Sequence, residues 1–476
     1  MHKPWHSLIF GGIVFLALGL LSFTFPKNGI GLSPGFKLNF ASLDGLFGAK
    51  SAKKDISKII EAIDAIDTTF ATVDTTGKQP EATGDSAARL VTGIQYKNRS
   101  VLKSFFEALQ NARNGARPIR VLHYGDSQIE GDRITDYLRL KLQGQFGGQG
   151  VGLVSLTPIA ASVINKITTG PGWDRYTIFT IKDKRVSHSN YGVLAGFSRF
   201  SNYRRPDSNA VVSASITITT TKFGGANAMS YKKLKLFYGG AQARTWSEFY
   251  DGPALISADS LEAGGSFRIR EYAVTQGSNT HTLKFSGRDS PDFYALSLEG
   301  DNGVMVDNIA LRGSSGTFFH QINAGQLKQF YDHLNVKLII LQFGGNAMPA
   351  IKDASMAANF AGYMKYQIAT VKKLAPGASI LFIGPADMSI KQGTDYVTYP
   401  YLEDMRNALK KVVLENDCAF FDMYDCMGGK NSMASWVDQK LAATDYTHFS
   451  PQGARKIATL LYSALINEYN GYLKTK

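Results

Sequence analysis

From about Leu156 to Gly300 the chain has no helical period, only short alternating runs closed by glycines. On both sides of that stretch, strands alternate with helices. Before it, "IRVLHYG" leads into "ITDYLRLKLQGQFGG". After it come "VMVDNIALRG", "VKLIILQFGG", "ASILFIGPA" and "CAFFDMYD", each followed by a helical pattern. Buried strands separated by helices demand a mostly parallel sheet covered on both faces. The inner runs, among them "ASITITTTKF", "KKLKLFYGG" and "HTLKFSG", have the period of a β-sandwich or jelly roll. The expected body is therefore one α/β domain, residues 98–155 and 305–476, interrupted by an all-β domain over 156–304. The ends of such a domain lie close together, which lets the host close around it.

Ahead of the body, an uncharged apolar stretch runs from Ser7 to Phe25, about the length that spans a bilayer and long for a signal-peptide core. No small-x-small cleavage pattern follows at Pro26, Lys27 and Asn28. Residues 1–27 are thus expected to be an uncleaved membrane anchor, with a cleaved signal peptide as the alternative, and the rest of the chain exported. Residues 28–97 read as a stalk. Ile56, Ile59, Ile60, Ile63, Ile66 and Phe70 recur at helical spacing, and "TTGKQPEATGDSAA" reads as a linker.

The 476 residues carry a net charge of +13, which favours an anionic neighbour. Nucleic acid is not the expected partner, because Lys and Arg are scattered and no nucleic-acid-binding motif is present. Cys418 and Cys426 are the only cysteines. They are too few for a cysteine-rich zinc site, and either one local disulfide or two buried thiols fits their spacing.

The chemistry concentrates where strands end. Gly125-Asp126-Ser127 closes the first, Gly313 follows "VDNIALR", and Gly344-Gly345-Asn346-Ala347 follows "LIILQF". Asp445 and His448 stand three apart ahead of the last helix. Open α/β sheets build sites at the carboxyl ends of their strands. Ester cleavage needs a nucleophile, a base, an orienter for the base, and donors where negative charge develops. Ser127 fits the nucleophile, His448 the base and Asp445 the orienter. The Ser127 and Gly313 amides and the Asn346 side chain would form the oxyanion hole, with Gly316 as the alternative to Gly313. Asp126 and Gly344 are expected to support the loops.

These four segments, in this order, resemble the blocks of the SGNH (GDSL-type) hydrolases over residues 98–155 and 305–476. The run "GDSQIEGDRITDYLRLKLQGQFGGQGVGL" and the size and position of the insertion resemble the peptidoglycan O-acetylesterase branch. In that branch a carbohydrate-binding-like β domain interrupts the hydrolase. The resemblance implies a flavodoxin-like sheet and an esterase that needs no cofactor or metal. It implies an acetylated glycan, peptidoglycan above all, as substrate, and a periplasmic location. The third block usually ends Asn-Asp, whereas Ala347 follows Asn346 here. The same residues would serve an O-acetyltransferase, and an impaired site would leave a glycan-binding or scaffolding protein.

Other features have plainer readings. Gly31-Leu32-Ser33-Pro34-Gly35 has the spacing of a nucleophile turn but lacks the strand before and helix after it. "GGQGVG" lacks the Lys of a phosphate loop and is expected to end a helix. His123 is expected in the core or behind the site. His188, His281, His320 and His333 have no metal-ligand spacing. Trp173, Tyr176, Trp246 and Tyr250 are expected mostly to pack the sandwich rather than to stack on sugars.

Overall fold

The computed structural model describes residues 4–26, 30–33, 36–38, 53–71, 93–180, 182–201, 210–275 and 277–475. The linker "TTGKQPEATGDSAA" lies outside them. Helix α1 (Pro4–Thr24) is predominantly apolar. Among the described residues it is the one helix long and apolar enough to cross a membrane.

Five strands form the central sheet: β1 (Ile119–Gly125), β2 (Val304–Ala310), β3 (Val336–Gln342), β4 (Ser379–Ile383) and β5 (Ala419–Phe421). Their order is β2-β1-β3-β4-β5 and every pairing is parallel. This is the flavodoxin-like arrangement of an SGNH-hydrolase fold. The continuous apolar runs follow from burial on both faces. Ile339 and Leu341 of β3 enter one core, while Leu338 and Ile340 enter the other. β1 is buried along its whole length. The first core is covered by α5 (Ala324–His333), α6 (Ala354–Leu374) and α7 (Leu402–Glu415). The second is covered by α3 (Lys103–Asn111), α4 (Thr135–Phe146) and α8 (Pro451–Leu473).

Helix α2 (Ser57–Ala71) departs from the stalk reading. Its apolar stripe is docked on the body, with Ile56 just ahead of it and Ile63 each 1% exposed in the second core. Tyr137 donates to Asp67 at 2.8 Å, and Lys53 pairs with Asp438 beside the start of the helix. Gln95 then pairs antiparallel with Phe420, both N···O distances being 2.8 Å, and closes the β5 edge. An edge strand left open would be a template for aggregation.

The insertion is two packed antiparallel sheets of five and six strands around a third core, in which Ile216, Phe249 and Phe285 face Leu236, Phe293 and Leu298. The strand Gly152–Val154, placed before the insertion by the sequence, pairs with Asp292–Glu299 of the six-stranded sheet. The chain enters and leaves at one point: Val304 N donates to Gly147 O at 2.8 Å and Gly300 N to Gln149 O at 2.9 Å. There "GGQGVG" does more than stop a helix. Gly148 (φ +124°) and Gly150 (φ +98°) press so closely on Val304 and Leu298 that a Cβ at either would overlap backbone.

The outer face of the six-stranded sheet joins the first core, where Phe237 packs on Phe330 of α5 at 5.6 Å between centroids. Buried Arg120 of β1 adds a polar tie across the junction, bonding Asp307 at 2.7 Å and Glu299 at 2.8 Å. Cys418 and Cys426 are buried thiols, not a disulfide.

Candidate active site

At the carboxyl end of β1 the chain turns through Asp126 into a short 3-10 segment, Ser127–Asp132. Asp126 Oδ1 caps that turn by accepting from Gln128 N at 2.9 Å. Its Oδ2 accepts from Asn346 Nδ2 at 3.0 Å and so ties the β1 loop to the β3 loop. Burial pushes the Asp126 carboxyl up to about 6, against the opposing pull of the Gln128 N–H, His448 and Asn346.

Ser127 Oγ lies 2.7 Å from His448 Nε2, and His448 Nδ1 lies 2.8 Å from Asp445 Oδ2. Asp445 is not a helix cap. Ser450 caps α8, with Gly453 N donating to its hydroxyl at 3.2 Å. Asp445 Oδ1 instead accepts from Thr447 N at 2.9 Å and His448 N at 3.0 Å. Burial raises the Asp445 carboxyl, but the backbone and ring donors of His448 and the Thr447 N–H outweigh it, so the net shift is downward. The carboxylate is thus held ionised where an imidazolium would form.

Ser127, His448, Gln128, Asn346 and Gly345 line one cavity of about 240 Å³, whose far wall is Phe343, Pro349, Met388, Tyr399 and Met423. Asn346 is placed beside the nucleophile, and in this resting geometry its amide also donates to Ser314 O at 3.2 Å. It must release one of its two acceptors to serve an oxyanion. Gly313 (φ +78°) sits in the neighbouring loop with open space where a Cβ would be. It is not among the residues lining the cavity. Gly344 (φ +131°) makes the turn out of β3. Ala347 donates its N–H to Gly344 O at 3.1 Å and buries its methyl in the first core.

Two residues to which the sequence reading assigned no role join the loops. Gln128 grips the backbone on both sides of His448: its Nε2 donates to Thr447 O at 2.5 Å and its Oε1 accepts from Phe449 N at 3.3 Å. Arg133 donates to the carbonyls of Ser127 (2.5 Å), Glu130 (3.0 Å) and Phe449 (3.2 Å). Both lie in the run "GDSQIEGDR", so position was the available signal. His123 is a core residue between Gln342 at 3.0 Å and Thr135 at 3.1 Å. Burial drives it down to about 4, opposed by the Gln342 contact, and keeps it neutral. Trp173 packs among Phe200, Phe285 and Phe293, while Trp246 is 44% exposed. Among the described residues no group of three His, Cys, Asp or Glu side chains is placed to hold a metal.

Residues 274–456 match the model of the GDSL-like lipase/acylhydrolase family. The match spans Gly313, Asn346, Asp445 and His448, and the fold carries Ser127 from outside it to His448 and into one cavity with Asn346. A solved peptidoglycan O-acetylesterase is 21% identical and aligns over 80% of this chain and 99% of its own, with a TM-score of 0.62. The acetyl xylan esterase AlAXEase is 15% identical over 34% of this chain and 81% of its own, at a TM-score of 0.27. A family two carbohydrate esterase from Clostridium thermocellum is 12% identical over 62% and 98%, at 0.23. No curated protein matches the chain.

Proposed function

The chain carries a GDSL-like lipase/acylhydrolase domain on an SGNH-hydrolase fold, and from that premise we propose that it is an exported serine esterase removing O-acetyl groups from a cell-wall polysaccharide, with peptidoglycan as substrate. The observation that carries the reading is the unbroken line from Ser127 Oγ through His448 to Asp445 at 2.7 and 2.8 Å. The peptidoglycan O-acetylesterase neighbour supports the substrate. The apolar α1 supports export and anchoring, and the net charge of +13 suits an acidic wall polymer.

In the proposed mechanism His448 Nε2 takes the Ser127 proton as Oγ attacks the acetyl carbonyl. Negative charge gathers on the carbonyl oxygen, where the Ser127 and Gly313 amides and Asn346 Nδ2 would donate. When the intermediate collapses, His448 returns the proton to the departing sugar oxygen and leaves acetyl-Ser127. Water, giving a proton to His448, then attacks the same carbonyl, and acetate leaves with Ser127 restored. Asp445 holds the ring tautomer and balances the imidazolium charge.

The test is acetate release from O-acetylated peptidoglycan by the wild type and Ser127→Ala, with and without a glycan acceptor. Release by the wild type alone is expected. Acetyl appearing on the acceptor would change the reading to transfer, and no release from a folded protein would contradict it.

A further inference from the structure

The loop that carries Asp445 and His448 is open to solvent, with the Asp445 side chain 50% exposed. Burial alone therefore does not fix it. Gln128 secures its far end, at the peptide groups of Thr447 and Phe449. In the near end Tyr446 sits at φ +55°. A bulky side chain rarely adopts that left-handed backbone, and keeps it where the surroundings impose it.

A hairpin between β4 and α7, made of Ser389–Gln392 and Asp395–Thr398, supplies that constraint. Ser389 N donates to Tyr446 O at 2.9 Å. Tyr396 lays its ring flat on the Tyr446 ring, with centroids 3.5 Å and planes 5° apart. The base of the hairpin is itself tied down. Thr398 Oγ1 donates to buried Asp387 at 2.7 Å, and Thr398 N to Asn431 Oδ1 at 3.0 Å. Tyr399 N donates to Met388 O at 3.0 Å. Met388 and Tyr399 flank the two strands, and both are walls of the cavity that holds Ser127 and His448. The same arm thus shapes the cavity and braces the loop of the base.

We propose that Tyr396 is a positioning residue for the Ser127–His448–Asp445 line. Acting through Tyr446, it holds the turn from Asp445 to His448 within reach of Ser127. This rests on the esterase reading above.

The test is steady-state hydrolysis of 4-nitrophenyl acetate by the full chain, with thermal unfolding followed alongside. Tyr396→Ala should lower kcat about tenfold at unchanged KM, because a fraction of an ångström at the base is enough for such a loss. Tyr396→Phe keeps the ring and should keep the wild-type rate. Tyr446→Asn keeps a left-handed turn without the ring, so it should lose as much as Tyr396→Ala. The double variant should be no slower than either single one, since both remove the same contact. Phe249→Leu, in the sandwich core, lowers stability away from this loop and should leave kcat unaltered while the protein is folded. An unchanged kcat in Tyr396→Ala, or a loss confined to KM, overturns the positioning role. So does an equal loss in Tyr396→Phe or Phe249→Leu, or losses that multiply in the double variant. Each of those outcomes leaves the esterase reading standing. A folded wild type that turns over neither 4-nitrophenyl acetate nor O-acetylated peptidoglycan overturns that reading, and the positioning role with it.

Discussion

At the scale of single residues, the site depends on how firmly His448 is held against Ser127. The imidazole sits on a loop, and its register comes from the side chain of Gln128, which bonds the peptide groups before and after it. A displacement of about 1 Å at such a base costs on the order of 100-fold in rate. Gln128→Ala is therefore expected to lower kcat for 4-nitrophenyl acetate by about 100-fold with little change in KM. An unchanged kcat would show that the loop holds itself. None of this could be read in the sequence, because the partners of Gln128 are backbone groups 319 and 321 residues away. Ser127, Asn346, Asp445 and His448 were legible because each stands where a strand or loop must end, and chemistry selects few residue types there. The engagement of Asn346 by Asp126 and Ser314 was not legible, since it depends on how two loops pack.

At the scale of elements, the strands of the parallel sheet were legible from their unbroken apolar runs, since only burial on both faces tolerates them. The role of helix α2 was not. An amphipathic stripe looks the same whether it serves a stalk or packs on the body, and here Ile63 is buried beside α8. Ile63→Ala should cost about 2–5 kcal/mol of stability, read by denaturant unfolding. A loss below about 0.5 kcal/mol would mean that α2 is not part of the folded unit. The hairpin of Ser389–Gln392 and Asp395–Thr398 rests on a buried carboxylate. Asp387 accepts from Thr398 Oγ1 at 2.7 Å and Met433 N at 2.7 Å, yet burial still pushes it up from 3.8 to about 6. Between those values the folded protein holds a proton that the unfolded chain has lost, so this group's contribution to stability falls as pH rises from about 4 to about 6. Asp387→Asn should remove up to about 3 kcal/mol of that pH dependence. An unaltered slope in urea unfolding across the window would contradict the assignment.

At the scale of the whole molecule, the sandwich shares a core with the hydrolase and is bolted to it through Arg120, Glu299 and Asp307. Removing one partner of such a buried cluster leaves a charge uncompensated, at a cost of about 3–5 kcal/mol. Asp307→Ala should accordingly destabilise both halves together, in one cooperative unfolding transition. Two separated transitions in calorimetry would mean that the halves fold independently. The insertion was visible as a change of period near Leu156, but its coupling to the host was not, because Arg120 and Glu299 read as ordinary surface charges until the two sheets are stacked. With the insertion held rigidly, the Ser127–His448–Asp445 line stays fixed at the sheet's carboxyl end.

That line makes the central claim chemical: Ser127 carries the acyl group between attack and release. The direct measurement is the intact mass of the protein quenched in acid within milliseconds of mixing with 4-nitrophenyl acetate, followed by peptide mapping. One added acetyl group, mapped to Ser127 and absent from Ser127→Ala, is the expected result. Turnover with no acyl-protein at any time, or acetyl on another residue with Ser127→Ala still active, would contradict it.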